Sequence, residues 1–207
     1  MNALKILKKL EETYGKPKTA LKFKTPFQLL VATILSAQCT DARVNAVTEK
    51  LFKKYSEPKD FASLKQSQLE KLIKSTGFYK NKAKNIIAAS KLIVEKFNGK
   101  VPKTMQELIL LPGVARKTAN IVLTEAFGLV EGIAVDTHVL RLSQRLGFTK
   151  NNKAEKVELD LMKLFDKNYW PLVSNLLITH GRKICFARKP LCNQCVLKND
   201  CPSAFKF

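Results

Sequence analysis

The chain has 207 residues, enough for one sizeable core or two smaller ones. Its apolar content of 45% is that of a globular protein, and its apolar runs, such as Phe27 to Leu35, fall short of the ~18 residues that a membrane span needs. Against 17 Asp and Glu stand 37 Lys and Arg, a formal charge of +20 that suits a polyanionic partner, nucleic acid foremost. Those cations are spread along the chain rather than gathered into an amphipathic anchor, which argues against a membrane surface.

Helical periodicity dominates from the start. Leu4, Leu7 and Leu10 predict an amphipathic helix that ends near Gly15-Lys16-Pro17. Pro26 to Gln38 is apolar on every side and predicts a buried central helix. Ser67-x-x-Glu70 has the form of a capping box, opening a helix that Gly77 terminates. Ala83, Ile86, Ile87, Ser90, Ile93 and Phe97 line one face of the next helix, which Asn98-Gly99 stops. Thr104-x-x-Glu107 is a second capping box, and a further helix is expected over 116–127 with Gly128 as its stop. Asp136 is placed as the N-cap of a helix ending at Gly147, and Asn152 and Trp170-Pro171 open two more. No segment alternates as a strand would, so the predicted fold class is all-α.

Between two of these helices lies Leu111-Pro112-Gly113-Val114-Ala115-Arg116-Lys117-Thr118-Ala119, the pattern of a helix-hairpin-helix. Gly113 lets the backbone come close to a phosphate, and the N–H groups opening the second helix attract the anion. Such contacts position a nucleic acid without reading its sequence. An ordinary helix–helix turn would look similar. Lys117 falls in the first turn of that second helix, where the positive end of the helix dipole disfavours an ammonium and partial burial would further favour the free amine. A neutral lysine amine is a nucleophile that forms Schiff bases. Downstream, Asp136 in Val135-Asp136-Thr137-His138 either serves only as a cap or faces Lys117 as a carboxylate that balances developing positive charge.

Four of the five cysteines fall in the last 23 residues, as Cys185-x6-Cys192-x2-Cys195-x5-Cys201. Four thiolates this close can hold one metal centre in place of the apolar core that a short basic tail lacks. Iron–sulfur and structural zinc both remain open, although zinc sites usually show two short Cys-x2-Cys pairs and only Cys192 and Cys195 form one here. Disulfides are less expected, since nothing reads as a secretory signal. Cys39 is expected as a small buried apolar residue.

These motifs, in this order, resemble the endonuclease III family of helix-hairpin-helix DNA glycosylase/AP lyases. The likeness extends to Leu35-Ser36-Ala37-Gln38-Cys39-Thr40-Asp41, to Gly77-Phe78-Tyr79-x-x-Lys82-Ala83 and to His180-Gly181-Arg182. The resemblance implies that Lys117 is the Schiff-base lysine, Asp136 the catalytic aspartate, and Cys185, Cys192, Cys195 and Cys201 the ligands of a [4Fe–4S] cluster. It implies that Gln38 fills the gap left by an extruded nucleotide, that Phe78 is the wedge beside it, and that Gly113, Ala115 and Arg116 meet DNA at the hairpin. Arg188 and Lys189, in the loop between the first two cysteines, would meet phosphates. Two positions depart from the family pattern: Phe78 is larger than the usual leucine, and Ala115 stands where a second glycine is common. The expected organisation is a hairpin domain over 21–130 and a discontinuous cluster domain over 1–20 and 131–207, with its cysteine loop at 185–201 and a DNA-binding groove between the two domains. The expected partner is duplex DNA carrying a damaged pyrimidine or abasic site, met by a monomer in a prokaryotic cytoplasm.

Overall fold

The computed structural model describes residues 2–206. Among these residues there are eleven α-helices, three short 3-10 helices and no strand. In chain order the α-helices are α1 (Ala3–Tyr14), α2 (Pro26–Leu35), α3 (Asp41–Lys54), α4 (Pro58–Ala62), α5 (Gln66–Ile73), α6 (Tyr79–Lys96), α7 (Met105–Leu108), α8 (Arg116–Phe127), α9 (Thr137–Arg145), α10 (Ala154–Leu164) and α11 (Trp170–Lys183). The chain divides into two compact units, one of Ala20–Leu129 and one of Met1–Thr19 with Val130–Phe207. No helix among the described residues is long and apolar enough to cross a membrane.

The unit spanning Ala20–Leu129 is built around α2. Thr25 caps this helix by accepting the Gln28 N–H, Pro26 occupies a first-turn position that needs no donor, and every residue from Phe27 to Leu35 is buried. Such all-round burial explains a helix apolar on all faces: α3, α6 and α8 pack against it. Leu29, Leu30 and Leu35 are at most 1% exposed, so truncating any of them to alanine would cost about 2–5 kcal/mol. The Asn98-Gly99 stop of α6 is realised with both residues at positive φ (51° and 74°), and the Gly99 N–H returns to the Ile93 carbonyl.

The other unit packs α1 and α9 on α11, and α10 on α9, around Ile6, Leu7, Leu10, Leu142, Leu161, Leu176 and Leu197. Lys5 and Lys9 both reach Asp200, at 3.1 and 2.6 Å, and so fasten α1 to the cysteine-rich tail.

Several local expectations need correction. The cap of α5 is not Ser67-x-x-Glu70: the helix starts at Gln66, and Gln68 accepts the Lys65 N–H while Glu70 takes the Gln66 side chain. Lys65-x-x-Gln68 has the same spacing two residues earlier. Leu4 is exposed, and Ala3, Ile6, Leu7 and Leu10 form the buried stripe of α1, a 3.6-residue repeat rather than a strict three. Helix α10 is preceded by Lys153, not opened at Asn152. Cys39 is only half-buried, because it follows the end of α2 in a turn rather than lying on the helix.

Candidate active site and cluster loop

The hairpin lies in the unit spanning Ala20–Leu129. Leu111 is buried, the Val114 N–H donates to the Leu111 carbonyl at 3.0 Å, and Gly113 turns the chain at φ 81°. Ala115 is the N-cap of α8 with extended backbone (φ −91°, ψ 169°), so it carries none of the left-handed strain that would require a glycine there. No side chain caps the first turn of α8, and that turn retains its anion-binding character. Arg116 and Lys117 are both exposed on this turn. Lys117 thus lacks the partial burial that would have further favoured its free amine, because the buried stripe of α8 begins two residues later at Ala119 and Asn120.

Gln38 and Phe78 lie in the same unit, each just beyond the end of a helix. Gln38 has φ 52° and is exposed; Phe78 has φ 47°, precedes α6 and is 66% exposed. Left-handed backbone costs a residue with a Cβ about 1–2 kcal/mol, so neither loop is held by local preference. Besides the backbone bonds of each turn, both segments are reached by Lys82, on the buried face of α6. Its Nζ donates to the carbonyls of Leu35 and Thr76, both at 2.8 Å, three residues before Gln38 and two before Phe78. Burial lowers the Lys82 pKa from its ordinary value, opposed by the nearby Cys39 thiol. Sequence reading passed over this lysine. The signal was there: Lys82, Ala83 and Ile86 continue one apolar stripe at helical spacing.

Asp136 belongs to the other unit. It is the N-cap of α9, and its Oδ1 accepts the N–H groups of His138 and Val139, both at 2.8 Å. Oδ2 plays no part in that cap. His138 Nδ1 stands 3.1 Å from Arg141 Nη2, and burial pulls its pKa down despite Asp136. Gly181 makes room for this pair, since a Cβ there would lie 2.9 Å from His138 Nδ1 and 3.1 Å from Arg141 Nη2.

The four tail cysteines line one cavity, whose remaining wall includes Leu142, Leu146, Ile184 and Leu197. Among the described residues no three or more His, Cys, Asp or Glu converge tightly enough to hold a single ion; the thiols ring the cavity instead. Burial pushes the Cys195 and Cys201 thiols up, and the neighbouring sulfurs push further in the same direction. Thiolates crowded in this way need compensating positive charge. Fixed donors already face the sulfurs: Arg145 Nη1 donates to Cys185 Sγ at 3.3 Å and the Leu197 N–H to Cys195 Sγ at 3.4 Å. Apolar walls, four sulfurs and N–H donors aimed at them fit an iron–sulfur cluster. His180 lies beside them, with Nε2 3.4 Å from Cys195 Sγ and Nδ1 2.9 Å from the Tyr14 hydroxyl; burial pushes its pKa down to about 4.

Two arginines on α9 hold the loop that follows α11. Arg141 Nη2 donates to the Gly181 and Cys185 carbonyls, while Arg145 donates to the carbonyls of Phe186 and Ala187 at 2.7 and 3.0 Å. Their side chains fix the base of a loop whose tip exposes Arg188 and Lys189, the latter at φ 51°.

Residues 31–167 match the family described as HhH-GPD superfamily base excision DNA repair protein, and residues 185–201 match the iron-sulfur binding domain of endonuclease III. The second match covers all four tail cysteines and resolves the choice between iron–sulfur and zinc toward a [4Fe–4S] cluster. Endonuclease III of Synechocystis sp. is 54% identical over 202 residues, covering 98% of this chain and 92% of that protein. Among solved structures, a non-covalent endonuclease III–DNA complex superimposes with a TM-score of 0.94 at 43% identity, covering 98% of this chain and 95% of the other. A trapped endonuclease III–DNA covalent intermediate gives 0.93 at 44% identity, with 97% and 94% covered. The chain belongs to the endonuclease III family, within the HhH-GPD superfamily of base excision DNA repair proteins.

Proposed function

We propose that this chain is a bifunctional DNA glycosylase/AP lyase that removes oxidised pyrimidines from duplex DNA and cuts the strand 3′ to the abasic site. The observation that carries the reading is an exposed primary amine, Lys117, in the uncapped first turn of the helix that follows the Gly113 hairpin. Its support from outside the chain is the similarity to an endonuclease III caught covalently on DNA.

A target base lies too deep in the stack to be attacked, so the nucleotide is turned out of the duplex at a cost of a few kcal/mol, less at a poorly stacked lesion. Gln38 takes the vacated place and Phe78 wedges beside it. Gly113 and the first turn of α8 hold a phosphate, and Arg188 and Lys189 hold further backbone. The Lys117 amine attacks C1′ as the C1′–base bond breaks, and Asp136 offsets the oxocarbenium-like charge that develops on the sugar. The amine loses a proton, the C1′–O4′ bond opens with O4′ taking a proton, and a protonated imine joins Nζ to C1′. That imine acidifies C2′; loss of the C2′ proton expels the 3′ phosphate, and water hydrolyses the imine to free Lys117. A cluster held by Cys185, Cys192, Cys195 and Cys201 would keep the basic loop in shape. The proposed place of work is a prokaryotic cytoplasm, beside the nucleoid, a reading supported by the similarity to bacterial endonuclease III.

Borohydride trapping on a duplex with one abasic site tests this reading. Wild-type protein gives a covalent adduct; Lys117→Ala and Lys117→Gln give none, while their duplex affinity stays within a few-fold. An undiminished adduct with either variant removes Lys117 from the chemistry. Strand cleavage on duplexes with thymine glycol, dihydrouracil, uracil or a mismatch fixes the lesion class.

A further inference from the structure

We infer that Lys82 is a positioning residue for DNA opening: its buried ammonium ties the loop of Gln38 to the loop of Phe78, so that plug and wedge enter the duplex as one unit. The inference rests on the reading that these two side chains insert into DNA.

Lys82 is 5% exposed, an uncommon state for a lysine, and its charge is satisfied by backbone rather than by a carboxylate. Both acceptors terminate helices. Leu35 is the last residue of α2, and Thr76 is the last residue of the 3-10 helix Lys74–Thr76. Carbonyls at such ends have lost their in-helix partners, and the negative end of α2's dipole favours a cation there. The two acceptors are 47 and 6 residues from Lys82 in sequence, so one side chain joins segments that local structure does not connect. Three residues beyond Leu35 the chain enters left-handed backbone at Gln38, and two beyond Thr76, just past Gly77, it does so at Phe78, in each case at a residue with a side chain. Strained conformations persist only where their surroundings over-determine them. Lys82 is the shared part of those surroundings. Buried lysines of a purely structural kind would stabilise the fold without caring whether DNA is paired; a tie between plug and wedge acts at the opening step.

The test uses full-length protein and a duplex in which 2-aminopurine faces the lesion, so that fluorescence rises as the pair is opened. Lys82→Met keeps the length of the side chain and removes its donors. It is expected to abolish the fluorescence rise at saturating protein and to slow single-turnover base excision about 10- to 100-fold, the scale of a displacement of roughly 1 Å. In a Gln38→Ala/Phe78→Ala background the same substitution should slow excision less than about twofold, because the parts it acts through are gone. The inference is overturned if Lys82→Met retains the fluorescence rise, or if its penalty is undiminished in the Gln38→Ala/Phe78→Ala background. A different result separates the underlying reading: if Gln38→Ala/Phe78→Ala leaves fluorescence and excision unchanged, insertion itself is wrong and Lys82 has nothing to position. Should Lys82→Met fail to fold, Lys82→Gln, which retains one amide donor group, is put through the same comparison with the same criteria.

Discussion

Gly113 and Asn85 are packed so closely that a methyl group on the glycine would stand 2.9 Å from the Asn85 Cβ and 3.0 Å from its Nδ2. The hairpin turn is thus pinned to α6 as well as being left-handed, at φ 81°. Gly113→Ala is expected to destabilise the protein by about 2 kcal/mol or more, from backbone strain and the clash together. Urea unfolding measures it. Removing the Asn85 amide in an Asn85→Ala/Gly113→Ala pair should recover little, because the nearest contact is the Cβ that alanine keeps. Full recovery would show that the close approach is not the constraint.

Asp136 combines two roles that substitution can separate. Its Oδ1 caps α9 through two N–H groups, and asparagine caps helices about as well as aspartate. Asp136→Asn should therefore change stability by less than about 0.5 kcal/mol while removing the charge proposed to face the oxocarbenium-like sugar. Excision is expected to fall by about 100-fold or more, whereas Asp136→Ala loses the cap as well, at about 1 kcal/mol. Excision undiminished in the asparagine variant would reduce Asp136 to a cap.

Features fixed within a few residues were legible in the sequence. Asp136 caps α9, Thr104 caps α7, and α8 runs from Arg116 to Phe127 with Gly128 in left-handed geometry, as composition and spacing indicated. The cysteine spacing likewise pointed to a metal centre before any neighbour was known. Helix α3 was not legible: only Val44, Thr48 and Leu51 are buried among its polar residues, too sparse a stripe to stand out. Neither was Arg145, whose partners lie about 40 residues away, so that nothing beside it in sequence tells it from a solvated surface cation; the stripe holding Lys82 was visible, but not the carbonyls 47 and 6 residues away that it joins. The exposure of Lys117 was not legible either. Its place in the first turn was read correctly, but its exposure depends on where the buried stripe of α8 begins.

Asp160 gives a pH dependence with a definite sign. It accepts hydrogen bonds from the side chains of Thr149 and Asn151, which hold its pKa below the ordinary carboxylate value. A depressed folded pKa contributes stability that is fully present above the unfolded value, about 3.9, and is lost as pH falls through the folded value. Asp160→Asn should lower the unfolding free energy measured in urea at pH 7, by less than about 1 kcal/mol because solvent screens the site. Once the pH falls below the folded value, the two proteins should converge. A difference independent of pH would show that the charge on Asp160 does not matter.

Arg145 joins α9 to the sulfur of the first cluster ligand, Cys185 Sγ, and to the two carbonyls that follow. Lysine cannot reproduce a guanidinium that serves several acceptors at once. Arg145→Lys should loosen the loop base, so that the visible absorbance of the cluster bleaches several-fold faster in the presence of an iron chelator. Duplex affinity should fall along with it. Bleaching at the wild-type rate would mean that the sulfur contact contributes nothing to retention of the cluster.

The loop tip can be tested apart from its base. Arg188 and Lys189 are exposed and far in sequence from Lys117, so their proposed task is phosphate binding without a part in the chemistry. Each phosphate contact adds about 0.9 to the steepness with which log affinity falls against log salt. Arg188→Ala/Lys189→Ala should make that slope shallower by about two and weaken binding alike on damaged and undamaged duplexes. Single-turnover excision at saturating protein should stay within a few-fold of wild type, since a contact that only positions DNA is replaced by mass action. An unchanged salt slope would take the tip away from the DNA, and a slope change restricted to damaged duplex would give it a part in recognising the lesion.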